Sequence, residues 1–218
     1  WMIAEIIPLG TLTRLYENIA SNQIRKKIAK SFGLTVPVFI SWMTIITLTR
    51  NSCCHHARLW NRSLSLRALT MKKPMYPWID NSVQQGRVFF TLCILKHFVD
   101  IIHPDNTFKS RLLSLLSKYP MIDISAMGFV SDWQSLPLWK VWDGYVYHKH
   151  FRYESKHLCT SGIGAYILSV WFIQFYPIWD FIDRLVHLYS SKYNMHTFQG
   201  WRCWQHTAHY VSITSIAK

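Results

Sequence analysis

TVPVFISWMTIITLTRNSCCHHARLWN, residues 35–61, is the stretch on which the fold turns. Thr35 is a residue type that caps a helix start, and Pro37 falls in the first turn, where a missing N–H costs nothing. No further breaker stands before Asn61. The pattern therefore predicts one long helix from Thr35 to about Asn61, apolar over most of its length and polar at its end.

Working outward, residues from Ile3 to about Ala20 mix apolar positions at helical spacing with Glu5, Arg14 and Glu17. Asn22 to Lys30 reads as a short basic helix carrying Arg25, Lys26, Lys27 and Lys30, and Gly33 breaks the chain after it. Downstream, Lys72, Lys73, Pro74 and Pro77 mark a loop. Ser82 to Ile102 is a second long helix, stopped by His103, Pro104, Asp105 and Asn106, and Thr107 to Lys118 is a third, ahead of Pro120. Almost nothing alternates with period two, so the expected class is all-α. No internal repeat or low-complexity tract interrupts it.

The 218 residues carry a formal net charge of +13, with 50% hydrophobic and 16% aromatic side chains. So much apolar material excludes intrinsic disorder, and a sequence pI near 9.7 makes a polyanion the first partner to consider: RNA, DNA or an anionic membrane surface. Composition changes at Lys140. Residues 1–140 hold 16 aromatic side chains and a net charge of +10; residues 141–218 hold 18 and +3. We therefore expect a helical domain over residues 1–140 and an atypical aromatic-rich tail over 141–218, a read-through or frameshifted addition more than a matched module. Trp1 in first position, with no signal-peptide pattern after it, points to a fragment of a longer chain. Five cysteines, two of them adjacent, make no disulfide framework, which favours free thiols and a cytoplasmic location.

Two uncharged stretches bear on membranes. Ser31 to Thr49 is cut by Gly33 and Pro37 and is short for a bilayer. His157 to Trp179 is the better candidate for a single span, although His157, Gln174 and Pro177 count against it. Membrane attachment is thus an alternative, not the favoured reading.

The chemistry-bearing residues crowd into Arg50 to Arg62. Arg50 and His55 lie five positions apart, about 140° past a full helical turn, so they flank one face. Such a pair suits RNA transesterification: an imidazole moves a proton at the ribose 2′-OH or the leaving 5′-oxygen, and a guanidinium meets the charge building on phosphorus. The same spacing also fits an ordinary polar helix end. A metal site is not expected. Cys53, Cys54, His55 and His56 are consecutive, and consecutive helical residues point about 100° apart and cannot converge on one ion. In the tail, Cys203, His206 and His209 show no paired ligand spacing. No cofactor is implied. Trp42 and Trp60 read as core; Arg58 and Arg62, four apart, would share a helix face able to track phosphates. Lys26, Lys27 and Lys30 serve either as an extension of such a track or as a solvated face. Met127, Gly128 and Phe129 read as a turn with a packing plug.

RNSCCHHARLWNR, residues 50–62, resembles the signature of the Abi-like proteins, the AbiD and AbiF type of bacterial abortive-infection proteins, in which RN-x-x-x-H is followed by H-x-RLWNR. Two further blocks agree with it. Upstream stand Gly10-Thr11-Leu12, Leu15-Tyr16, Asn18, Ile28-Ala29, Phe32-Gly33 and Ser41-Trp42; downstream stand Tyr119-Pro120, Ala126-Met127-Gly128-Phe129, Trp133 and Leu136-Pro137-Leu138-Trp139. The resemblance covers about residues 1–140 and implies a family portion missing before Trp1. That family is in turn similar to the HEPN superfamily of helical RNA-cutting and nucleotide-binding domains, whose hallmark is Arg, four to six residues, then His. It implies an HEPN-like helical bundle with metal-independent cleavage at a site shared between two copies of the chain. By that resemblance Arg50 stabilises phosphate charge, Asn51 positions the site and His55 acts as acid or base, with His56 as the reserve for that role; beside them, His56, Arg58 and Arg62 are expected to bind RNA. The expected function is antiphage defence by a homodimeric endoribonuclease. The alternatives are an RNA-binding module without turnover and a membrane-tethered sensor of infection.

Overall fold

The structure, a computed structural model, describes residues 7–140 except 56, 60 and 103–105. The expected tail, its candidate span at 157–179, the cysteine and histidines near residue 206, His56 and Trp60 lie outside the described residues. Among the described residues five α-helices follow one another: α1 (Leu9–Glu17), α2 (Asn22–Ser31), α3 (Val36–Cys54), α4 (Val88–Ile102) and α5 (Phe108–Lys118). Single 3-10 turns at Ser125–Met127 and Trp133–Ser135 complete the order, and no strand occurs among the described residues. The described region is all-α.

Local chemistry sets the helix starts. The Ser21 hydroxyl accepts the Ile24 N–H at 3.4 Å, a side-chain cap for α2, and Pro37 enters the first turn of α3 after an extended Thr35. Between these helices Gly33 takes φ +67°, and a β-carbon there would lie 2.6 Å from the Tyr76 ring. Glycine alone suits that corner.

α3 is the central element, packed against α1, α2 and α4, and α5 packs on α4. Val38, Phe39, Trp42, Met43, Ile45, Ile46, Thr49 and Cys53 carry its buried surface. Phe39 meets Tyr16 of α1 at 4.7 Å between ring centroids, Phe32 at 5.4 Å and Phe98 of α4 at 6.0 Å, so one ring joins three neighbours. Trp42 is fully buried, as its place in the pattern predicts, and stacks on Trp78 at 4.6 Å. Its indole N–H donates to the Leu69 carbonyl at 2.8 Å, while the Leu69 N–H donates to the Ser41 hydroxyl at 2.9 Å. Those two bonds fasten the long connection between α3 and α4 onto α3.

α4 is buried on nearly every side, including Lys96 and His97. His97 lies edge-on to both Trp42 and Trp78, and its Nε2 is 2.9 Å from the Phe32 carbonyl, which requires that nitrogen to carry the proton. Burial pushes the His97 pKa down to about 4, against a smaller opposing pull from that carbonyl. Lys96 pairs with Asp100 at 2.6 Å, and the Asn106 amide donates to the same carboxylate at 2.9 Å. Burial nonetheless holds the Asp100 carboxyl above its ordinary range.

Leu136, Leu138 and Trp139 close the core from below. Trp139 is fully buried, crosses Trp133 at 4.9 Å, stacks with Phe89 at 5.7 Å and donates its indole N–H to the Cys93 sulfur at 3.3 Å. Lys109 of α5 donates to its carbonyl. The packed region thus reaches the last residues before Lys140.

Two expected boundaries move. The helix drawn to Asn61 ends at Cys54, because the chain turns to bury Leu59. The helix drawn from Ser82 begins at Val88: the Asp80 carboxylate captures both the N–H and the hydroxyl of Ser82, and the Gly86 carbonyl is engaged by the Leu64 N–H at 2.8 Å. The expected start of the first helix at Ile3 lies outside the described residues; α1 begins at Leu9, directly after Pro8. No single described helix is long and apolar enough to cross a membrane; α2 and α3 pass by length and composition only as a pair bent by 67°.

Candidate functional site

α3 changes character in its last turn. Thr49 and Cys53 still face the core, whereas Arg50 is exposed and Asn51 and Ser52 are half-buried. The Arg50 guanidinium donates to the Asn51 amide oxygen at 3.1 Å, so two of the expected site residues are joined directly. His55 caps the helix from outside it, exposed, with its backbone N–H on the Asn51 carbonyl at 3.0 Å. Asn51 therefore meets Arg50 through its side chain and His55 through its backbone.

Beyond His55 the backbone folds back. The Ala57 N–H donates to the Ser52 carbonyl at 2.8 Å, the six-to-one bond that satisfies an orphan carbonyl at a helix end. Residues 57–59 and 61–62 then form a strap pinned by Leu59, which is only 1% exposed. Arg58 and Arg62 are both exposed on this strap. The expectation that they share a helical face is overturned, because α3 has already ended; they stand on either side of a buried leucine instead. Cys53 is buried and Cys54 exposed, and no group of three or more His, Cys, Asp or Glu side chains able to hold a metal forms among the described residues.

Asn61 is the one described non-glycine residue with positive φ, at 53°. Asparagine enters this left-handed region more readily than most side chains do. Its amide oxygen accepts from the Arg87 guanidinium at 3.2 Å, across 26 residues of sequence. Arg87 in turn lies against Gly128, which has φ +90° and closes the 3-10 turn at Ser125–Met127; a β-carbon on Gly128 would sit 2.4 Å from the Arg87 β-carbon. Met127 and Phe129 flank that glycine as buried plugs, with the Phe129 ring 4.2 Å from Phe89. The turn-and-plug reading of these three residues holds, and it gains a purpose: the turn seats the arginine that holds the strap.

Arg87 is the residue that spacing did not reveal. A lone arginine after Gly86 carries no local pattern, and only the fold joins it to Asn61 and Gly128. Charge offered a coarser sign. From Arg50 to Arg87 the chain has seven Arg and Lys against one acidic residue, Asp80.

Gly10, in the upstream block, lies on α1 where a β-carbon would be 3.4 Å from the Thr47 side chain, so α1 lies close against α3 one turn before Arg50. No curated protein and no solved structure matches the chain. A family described as Abi-like protein matches residues 1–61, which takes in α1, α2, α3 and the strap up to Asn61. Over residues 1–61 this chain is accordingly similar to the Abi-like protein family.

Proposed function

We propose that this chain takes part in abortive infection as a metal-independent endoribonuclease of the HEPN kind, working as a homodimer. One observation carries the reading: Arg50, Asn51 and His55 stand together at the polar end of the central helix, with Asn51 bonded to Arg50 through its side chain and to His55 through its backbone. A guanidinium and an imidazole are the two groups that ribose-phosphate transesterification requires. His55 takes the proton of the 2′-OH as the 2′-oxygen bonds to phosphorus, and the bond from phosphorus to the 5′-oxygen breaks. The departing 5′-oxygen receives a proton from a second imidazole, supplied by the matching site of a second copy. The products are a 2′,3′-cyclic phosphate and a 5′-hydroxyl. Arg50 is a permanent cation beside the phosphate as its charge grows, and the bond to Asn51 restricts where its fork can point. The donor set favours proton transfer over metal chemistry, since the stretch from Arg50 to Arg87 offers one carboxylate.

The test is incubation of the protein with labelled single-stranded RNA in EDTA, followed by analysis of the termini. Cleavage leaving 2′,3′-cyclic phosphate, lost in His55→Ala and in Arg50→Ala with unchanged thermal unfolding, is the expected result. Cleavage surviving both substitutions would remove these residues from the site. RNA that is bound and never cut would make the chain a binding module.

A further inference from the structure

A cavity of about 370 Å³ opens beside the strap, lined by Ser63, Arg67, Val83, Gln84, Gln85, Gly86 and Arg87. Its walls come from two segments clipped together by the bond from the Leu64 N–H to the Gly86 carbonyl, at 2.8 Å. Val83 is buried, whereas Arg67 and Gln84 are exposed and Gln85 and Arg87 half-buried. The lining is unusual in sign. It has two guanidinium groups, two primary amides and a hydroxyl, and no carboxylate. Arg67 has no hydrogen-bond or ion-pair partner among the described residues, and the side-chain bond recorded for Arg87 uses a single nitrogen, toward Asn61, of a group with five N–H donors. Two planar donors with unused N–H groups facing a polar cavity are suited to a phosphate oxygen, and the amides beside them can donate to or accept from a base or a ribose. The first wall residue, Ser63, follows Arg62 directly, so the cavity continues the basic segment that begins at Arg50.

We propose that this cavity is a second binding subsite, for a phosphate group with its attached nucleoside, separate from the Arg50–His55 centre. Arg67 is its principal anion ligand, and Gln84 and Gln85 contact the nucleoside. The proposal rests on the reading of the chain as an RNA-directed protein in one respect only, the source of the phosphate: a strand held across both sites or a free mononucleotide. Arg87 has two duties there, since it also holds the strap through Asn61. Arg67 is the cleaner probe, being exposed and without a bond to any other described residue.

The experiment uses the full chain carrying His55→Ala, so that RNA stays intact. Fluorescence anisotropy with a labelled single-stranded oligoribonucleotide is measured over a range of sodium chloride concentrations. NMR then follows the Gly86 amide and the Arg67 Nε–H during titration with adenosine 5′-monophosphate and with inorganic phosphate. Arg67→Glu is expected to weaken RNA binding about tenfold and to flatten the plot of log affinity against log salt by about 0.7 or more, the contribution of one phosphate contact on a single strand. The double change Gln84→Ala with Gln85→Ala is expected to weaken binding with the salt slope intact. Arg14→Glu, a charge reversal of the same size at an exposed position on α1, is the control. If Arg67→Glu weakens binding no more than Arg14→Glu does while Arg50→Ala still weakens it, the subsite is refuted and the RNA reading stands. If RNA is not bound but the mononucleotide shifts Gly86 and Arg67, and does so no longer in Arg67→Glu, the subsite stands with a free nucleotide as its ligand and the RNA reading fails. If none of the three ligands perturbs the protein, both are refuted.

Discussion

Replacing Gly128 with alanine tests whether the turn at Ser125–Met127 seats Arg87. Two penalties add. An L-residue forced to φ +90° costs about 1–2 kcal/mol relative to glycine. The new β-carbon would also lie 2.4 Å from the Arg87 β-carbon and 2.9 Å from its γ-carbon. Those atoms are the root of the side chain, so relief requires the turn or the start of α4 to move, at about 1–3 kcal/mol. A loss of about 3 kcal/mol follows, or roughly 10 °C in Tm for a domain of this size. Gly86→Ala is the internal control. Its β-carbon would meet nothing closer than the Ser63 hydroxyl at 3.5 Å, and its φ is not left-handed, so it should fall within about 0.5 kcal/mol of the parent or slightly above it. Urea and thermal unfolding of the two variants measure the difference. Adding Asn61→Ala to Gly128→Ala supplies the second readout: if Arg87 is already displaced, the two losses sum to less than their separate values. A Gly128→Ala protein melting with the parent, or a Gly86→Ala protein losing as much, would refute the reasoning.

Acid should weaken the fold through His97. The folded pKa of about 4 lies below the unfolded value near 6.5, so the stabilisation is complete above pH 6.5 and is lost as pH falls toward 4, by about 3 kcal/mol in all. Urea unfolding at pH 7 and pH 4.5 measures this fall, and it should shrink in His97→Asn. Trp139→Ala, which empties a fully buried indole site, should cost about 3–5 kcal/mol by the same assay. A stop codon after Lys140 should leave a protein that still folds, whereas a stop after Ser135 should not, because it removes Leu136, Leu138 and Trp139 from the core; circular dichroism of both truncations decides it.

The sequence makes some of this architecture readable and hides the rest for physical reasons. The start of α3 is legible because Thr35 and Pro37 act within one turn. The burial of Trp42 follows from its place on an apolar helix. The end of α3 is not legible: residues 55–61 contain no glycine or proline, and the helix stops because Leu59 is drawn into the core and Asn61 finds its partner far along the chain. The same holds for α4, whose first apparent turn is dissolved by Asp80 and by the Leu64 N–H. Arg50, Asn51 and His55 stand out because polar residues end an apolar run. Arg87 does not, since its significance lies wholly in what it touches.

The tie between Asn61 and Arg87, with Gly128 beneath it, joins three points widely separated along the chain. A nascent polypeptide acquires them one at a time. At about 5–20 residues per second, the stretch from Asn61 to Gly128 takes roughly 3 to 13 seconds to synthesise. Throughout that interval the segment after His55 has no anchor for its left-handed corner, and α3 can complete its buried turns without fixing its polar end. The strap reaches its final shape only once the turn at Gly128 has left the ribosome, so the end of α3 matures late although it is among the first third of the protein to be made.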